Sequence, residues 1–497
     1  MREDWIETYL PNVCDILDNL REPINSAERT KRIEGKKESE LYPYYGATGQ
    51  VGFIDDYLTD GNYVLIGEDA APFLDFTKDV AYKISGKTWV NNHAHILKSY
   101  FNDDFLLHYL NQFQYRDFVT GTTRLKLTQG ALRRMPVRLA PLPEQRAIVL
   151  KIENLFASLD KGIADLKTAQ EQLKIYRQAV LKKAFEGELT KSWRAKQTNL
   201  QTVKELKETI DLSREKFYNQ QIIEWEQAVL NWERNGKKDK KPSKPSKLVV
   251  PEKPNAEHDE RKWPIPEQWI WTQVGTICFV TKLAGFEYTD YVKYDNEGDL
   301  TVLKAENAGV NGFKKTEFSK IKSETVEMLK RSFLFGGELL VVFVGAGTGN
   351  VAVVPKDRKY FLGPNIGMAR PYFEINSRFL EFQLQSSVGK HMMMATVKAV
   401  AQPSLSMATI RQTPIAFPSV AEQNQIVREI ESRLSVCDKV EQSISEALEK
   451  AEALRQSILK KAFEGKLLSE AEIAKCKQEA DYEPASELLK KIKAEKK

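Results

Sequence analysis

Apolar residues recur in alternating steps of four and three along one stretch of the chain: Ile148, Ile152, Leu155, Leu159, Gly162, Leu166, Ala169, Leu173, Tyr176 and Val180. That is the heptad period of a coiled-coil seam, and it predicts a long helix paired along one stripe. The spacing returns as Ile426, Ile430, Arg433, Cys437, Val440, Ile444, Ala447, Ala451, Leu454 and Ile458. The two stretches are copies of one module. Gly187 and Gly465 stand 278 positions apart, as do Glu144 and Glu422, and 10 of 13 residues are identical between Arg177–Leu189 and Arg455–Leu467. Pro143 can start the first helix, and the glycines after KKAFE are natural stops. Unbroken, each helix is a rod of roughly 65 Å at 1.5 Å rise per residue. Small residues on the seam (Gly162, Ala169, Ala447, Ala451) predict close approach of the rods. A chain built twice from one unit predicts an internal pseudo-dimer.

Around the rods the pattern changes to short strand-like runs and turn signals. Residues 1–143 read as a mixed α/β domain, with strands at Tyr63–Ile66 and Val80–Ile84, a helix at Asp103–Phe113 and an exposed loop around Tyr42–Phe53. Residues 144–235 hold the first rod and a second helix, Thr202–Arg234. Its Lys204-Glu205-Leu206-Lys207 resembles Ser486–Lys490 near the other end of the chain. Residues 236–262 are Lys/Pro-rich and predict a solvated tether. Residues 263–421 form the second mixed domain, with a strand at Leu339–Val344 running into Gly345-Ala346-Gly347-Thr348-Gly349-Asn350. Residues 422–497 hold the second rod and a charged helical tail. The expected class is α+β: two mixed heads separated by a pair of long antiparallel helices with an internal pseudo-two-fold repeat.

Charge adds little by itself. Seventy-four basic and 69 acidic side chains leave +5, so any nucleic-acid surface must come from local clustering. The four cysteines are scattered without a CxxC pair, which fits a reducing compartment. Met1–Asp4 leads straight into Trp5, and no apolar run approaches the ~18 residues of a membrane span, so a soluble cytoplasmic protein is expected. His93 and His95 lack a third metal ligand in view. The glycine run Gly345–Gly349 invites an S-adenosylmethionine or nucleotide reading. Against it, no amino-methyltransferase N/D-P-P-[FY] motif, no GxxxxGK[ST] and no nucleophile–base pair is present. The chain is expected to be non-catalytic.

Several runs together carry a resemblance: the leading tryptophans, YPYYGATGQVGFIDDY, VLIGEDAA, WVNNHAH, the P-x-PEQ junction at Pro141–Gln145 and the duplicated KKAFEG. In this order they resemble the specificity subunit of Type I restriction–modification systems. The resemblance covers nearly the whole chain. It implies two target recognition domains that each read half of a split, asymmetric double-stranded DNA target. It further implies helices that act as a spacer and dock two methyltransferase subunits, with restriction/translocase subunits in the complex. S-adenosylmethionine, ATP and Mg would then sit on those partners and no cofactor on this chain. A stand-alone methyltransferase using the Gly345–Gly349 loop, or a scaffold unrelated to DNA, are the competing readings.

Candidate DNA contacts come from chemistry and from that resemblance. At the 278 offset, Gly121–Leu127 aligns with Ala399–Leu405, and the polar residues differ while Leu127/Leu405 and Arg133/Arg411 persist. Arg124 can pair with a guanine edge and Gln402 with adenine, a phosphate contact or a structural role being the alternatives. Thr122, Thr123 and Lys126 flank Arg124. Asn91, Asn92 and His93 are placed near DNA by the resemblance. Tyr45, Thr48 and Gln50 can enter a groove or form a plain turn. Arg133, Arg134, Lys398 and Arg411 are candidate phosphate clamps. Thr348, Asn350 and Asn365 complete the set in the second head.

Overall fold

The computed structural model describes residues 2–237, 241–251, 263–395 and 404–496. It divides into two compact units, Met1–Ala169 with Gln442–Lys497, and Gln170–Glu441. Each unit holds one head and a portion of each long helix, Leu142–Phe185 and Val420–Phe463, both 44 residues. In the first unit Ile148 and Ile152 share a core with Ile458, Leu459 and Phe463, and Asp160, further along, meets Arg455, further back. In the second, Arg177 meets Asp438 and Glu441, while Ala184 and Phe185 share a core with Ile426 and Ile430. Advancing on one helix is retreating on the other, so the pairing is antiparallel in each unit, as expected.

The seam follows the apolar count at most positions, with Ile148, Ile152, Val180, Ile426, Ile430, Cys437, Ile444, Ala451 and Ile458 buried, and departs from it at a few. Leu155, Tyr176, Val440 and Leu454 lie on the outer face, 36 to 50% exposed, and a Cβ on Gly162 would touch nothing within 4 Å. Gly162 therefore does not serve close packing. Phe156, Ile163, Arg177, Glu441, Leu448 and Arg455 are the more sheltered neighbours. The physical reason is that two seam positions are filled by arginines whose charge is met across the pair. Arg177 donates to Asp438 Oδ1 at 2.7 Å and Glu441 Oε2 at 2.8 Å. Arg455 pairs with Asp160 and lies 4.4 Å from the centre of the Phe156 ring. These ion pairs occupy repeat-related positions with the helices' roles exchanged. Each rod ends where Gly187 (φ +76°) or Gly465 (φ +74°) takes a left-handed turn. The following amide returns to Lys183 O or Lys461 O, which satisfies a terminal carbonyl.

The heads share one topology. The first has a two-stranded ribbon, Ile6–Tyr9 with Pro136–Leu139, and an antiparallel sheet ordered Cys14–Ile16, Ala94–Ser99, Tyr63–Gly67, Ala81–Ile84. Its second sheet runs Gly49–Ile54, Tyr42–Gly46, Lys87–Val90, Thr59–Asp60, with the middle pair parallel. The second head repeats this with Ile270–Gln273 against Pro414–Phe417, and with the sheet Cys278–Lys282, Ile366–Pro371, Leu339–Val342, Val351–Val353. Its other sheet is Ser319–Ile321, Leu300–Leu303, Tyr360–Leu362, Phe333–Leu334, again parallel at its centre. Among the described residues a small hairpin, Ala308–Gly309 with Gly312–Phe313, is particular to this head. The expected helix forms over Asp103–Gln112, capped by Asn102, and its counterpart Ser377–Gln385 is capped by Asn376. The region Tyr42–Phe53, expected as a loop, is a strand pair anchored by the buried Tyr44. All four cysteines are buried and free, and burial pushes the Cys14 and Cys278 thiols up.

Outside the heads, residues 241–248, expected as a tether, lie along the helix Val203–Arg234. Trp225 donates to Pro242 O and Arg214 to Leu248 O. Of 236–262, residues 238–240 and 252–262 lie outside the described residues. The tail forms helices Glu470–Cys476 and Ala485–Glu495, which pack on the first unit's core through Ile473, Leu488 and Ile492.

A buried carboxylate joins each head to its helix. The Trp5 indole donates to Glu144 Oε2 at 2.8 Å, and Trp269 to Glu422 Oε2 at 2.9 Å. Both glutamates lie in the first turn, where the helix dipole favours negative charge. The adjacent glutamines repeat too: Gln145 donates to Ala140 O and accepts from Asn102 N, and Gln423 donates to Pro418 O and accepts from Asn376 N. Glu422 also accepts from Thr190 (2.7 Å) and Arg194 (3.1 Å), whereas Glu144 has Arg2 at 3.7 Å. Trp5→Phe should therefore cost about 2–3 kcal/mol, and Trp269→Phe about 1 kcal/mol, because the second carboxylate keeps other donors. Denaturant unfolding of the two variants checks this; equal losses would show that Thr190 and Arg194 contribute nothing.

Candidate nucleic-acid interface

Four segments of the first head converge beyond the end of the buried strand Tyr63–Gly67. The turn after Tyr42–Gly46 comes so close that a Cβ on Gly67 would lie 2.8 Å from Ala47 O. The Asn91 amide donates to Tyr45 O, the Glu68 amide to His93 O, the Leu127 amide to Glu68 O, and the Ala70 amide to Leu125 O. Tyr45, Asn91, His93, Arg124 and Lys126 are thereby gathered in one place. Tyr45 stacks on Tyr82 with ring centres 5.8 Å apart. Thr48 is exposed at the hairpin turn and Gln50 is exposed on the return strand. Asn91 is buried, and its side chain accepts from the His93 amide at 2.8 Å, so it shapes the loop. Asn92, Thr122, Thr123 and Arg124 face solvent. Arg133 and Arg134 lie just past the short helix Gln129–Leu132, exposed and without an ion pair among the described residues.

Two acidic residues organise this cluster. Asp69 Oδ1 receives His93 Nδ1 at 2.8 Å and Arg124 Nη2 at 3.2 Å. Glu68 receives Arg21 at 2.6 Å and Lys126 at 3.1 Å. Beneath them His95 is fully buried, with Nδ1 2.7 Å from Asp18 and Nε2 2.8 Å from Leu127 O. Each histidine ring is thus taken by a different partner, and no cluster of metal-ligating side chains occurs among the described residues. Glu68, Asp69, Asp18 and Arg21 were not among the sequence candidates. The available signal was the Glu-Asp pair placed directly after a fully apolar strand.

The second head presents different chemistry on the same frame. The Phe343 amide donates to Asn365 O and its carbonyl accepts from the Leu405 amide, the two backbone roles that Glu68 has with His93 and Leu127. Phe343-Val344 therefore stands where the first head has Glu68-Asp69, and Lys282 Nζ lies 4.8 Å from the Phe343 ring centre. Asn365 is exposed in a left-handed conformation (φ +63°). Arg411 donates to Val280 O, and Asn350 to Ala308 O. Thr348 is buried and bonds Gly345 O at 2.7 Å. Lys398 and Gln402 lie outside the described residues. The glycine run is a hairpin turn joining antiparallel strands Leu339–Val342 and Val351–Val353. A strand–turn–helix phosphate cradle needs a helix N-terminus there, and a strand comes next instead.

A family described as the type I restriction modification DNA specificity domain matches residues 3–168 and 272–450. The Escherichia coli type I restriction enzyme EcoBI specificity subunit is 26% identical over 392 residues, 76% of this chain and 68% of that protein. The EcoDI specificity subunit of the same species is 22% identical over 465 residues, 92% of this chain and 89% of that protein. A chain from a solved structure on complex assembly and conformational transition of the type I R-M system is similar in fold. It covers 94% of this chain and 99% of itself at TM-score 0.60 and 15% identity.

Burial pushes the Asp18 and Glu68 carboxyls up, yet both end below their ordinary values. Hydrogen bonds from His95 and Gln129 hold Asp18 down, and those from Arg21 and Lys126 hold Glu68 down. Lowered folded values mean stabilisation that is complete above the ordinary 3.8 and 4.5 and is lost as pH falls through the folded values. Glu68→Gln should cost about 1–2 kcal/mol near pH 7, with the gap from the parent closing as pH falls below the ordinary 4.5 and through the lowered folded value. Unfolding titrations across that range measure it; a gap independent of pH contradicts the assignment.

Proposed function

The chain belongs to the type I restriction modification DNA specificity family, and on that premise we propose that it reads a split, asymmetric sequence in double-stranded DNA, one half-site per head. The observation that carries the reading is one frame with two chemistries: identical strand orders, but Glu68-Asp69 and His93 in one head against Phe343-Val344 and Asn365 in the other. Scaffold positions are kept while the side chains at the mouth differ, as two readers of unlike half-sites require. A repeated module on an antiparallel helix pair can offer both readers to one duplex, with helix length setting the unread gap.

The chain contributes recognition and no chemical step. Two methyltransferase subunits, and restriction subunits in the full complex, supply S-adenosylmethionine-dependent methylation and ATP- and Mg-dependent restriction. Exposed Leu212, Ile223 and Leu230 on the helix Val203–Arg234 support docking of such subunits there. No helix among the described residues is long and apolar enough to cross a membrane, and the proposed place of action is the cytoplasm, where host DNA lies.

Long-read methylation mapping of a host with and without this gene tests the reading. Deletion should erase methylation at one split adenine motif, and an unchanged methylome defeats the proposal. Inserting one heptad into each long helix, near Ala169 and Ala447, preserves the seam phase and adds about 10 Å. The motif should keep both half-sites and gain about three unread base pairs. Altered half-site bases with an unaltered gap would contradict the spacer role.

A further inference from the structure

Asp69 is held unlike a simple ion-pair partner. Both of its cationic neighbours approach Oδ1, and no hydrogen bond to Oδ2 occurs among the described residues. The side chain is 20% exposed, at the mouth of the first head. Its backbone is clamped on both sides, by Glu68 bonded to His93 and Leu127, and by Ala70 bonded to Leu125 in a left-handed turn of φ +55°. A free acceptor is thus fixed in direction among exposed loops.

A carboxylate facing DNA is repelled by phosphates unless cations offset it, and Arg124 and Lys126 stand beside this one. An ionised carboxylate only accepts hydrogen bonds. In the major groove the complementary groups are the exocyclic amines, adenine N6 and cytosine N4, while guanine O6 and thymine O4 present acceptors of their own. We propose that Asp69 is a specificity-determining residue of the first head, its Oδ2 accepting from an exocyclic amine of one base in that half-site. This rests on the DNA-reading function proposed above. Arg124 and His93 hold the carboxylate's other oxygen and so act on the base through Asp69. The second head has Val344 at the corresponding place, so the effect belongs to one half-site alone.

The test selects bound duplexes from a randomised pool with the full chain in complex with its methyltransferase subunits, and sequences them. For the parent, one position of one half-site should carry adenine or cytosine on the contacted strand. Asp69→Asn keeps an oxygen for His93 and Arg124 and turns an NH2 outward, so preference there should move about tenfold toward guanine or thymine, the other half-site being unchanged. Asp69→Glu, which remains an acceptor, should keep the amine-bearing class and guards against a folding artefact. Unaltered base frequencies in Asp69→Asn, or a uniform loss of binding on every sequence, would overturn the proposal and leave Asp69 a positioning group for Arg124. If the parent itself selects no split sequence, the DNA-reading function falls with it.

Discussion

A buried carboxylate in the first turn of each long helix ties that helix to the head preceding it. Glu144 and Glu422 are both almost fully enclosed, and each accepts the indole N–H of its head's tryptophan. An unpaired carboxylate there would be costly, so helix start and head must form together. The neighbouring glutamine fastens the capping asparagine of the head's own helix to the same point. The direction in which a head's loops project is therefore referred to this joint.

The joint is the same in both halves while the loops are not. In the first head the mouth is a charge network in which Glu68 and Asp69 hold Arg21, Lys126, His93 and Arg124. In the second, the same backbone positions carry Phe343 under Lys282. One mouth presents paired charges whose free valences are directional. The other presents an aromatic face and an ammonium. That difference is what the proposal of two unlike half-sites rests on.

Much of this architecture was legible along the chain because it is local or repeated. Tyr63–Gly67, the helix after Asn102 and the rods' glycine stops arise from alternation, capping and turn chemistry. The seam was legible at most of its positions and departed from the apolar count at a few. At those few the count selects Tyr176 and Leu454, which are exposed, while the adjacent Arg177 and Arg455 are more sheltered. An arginine is accepted in a seam only where an acid faces it, and Asp438 is 261 positions from Arg177. Of the site, the cations were visible and their carboxylates were not, since Glu68 and Asp69 acquire a role only beside loops from elsewhere in the head.

By itself, the order of residues determined the duplication, the two long helices and the tryptophan and Glu-Gln signatures where heads meet rods, because each is written in local spacing or in a copy. Only the folded chain decided which seam arginines are met by acids across the pair and which oxygen of Asp69 stays open. Those depend on charges meeting across distant segments, and the free energy of such meetings is set by who is opposite, which no single stretch of sequence contains.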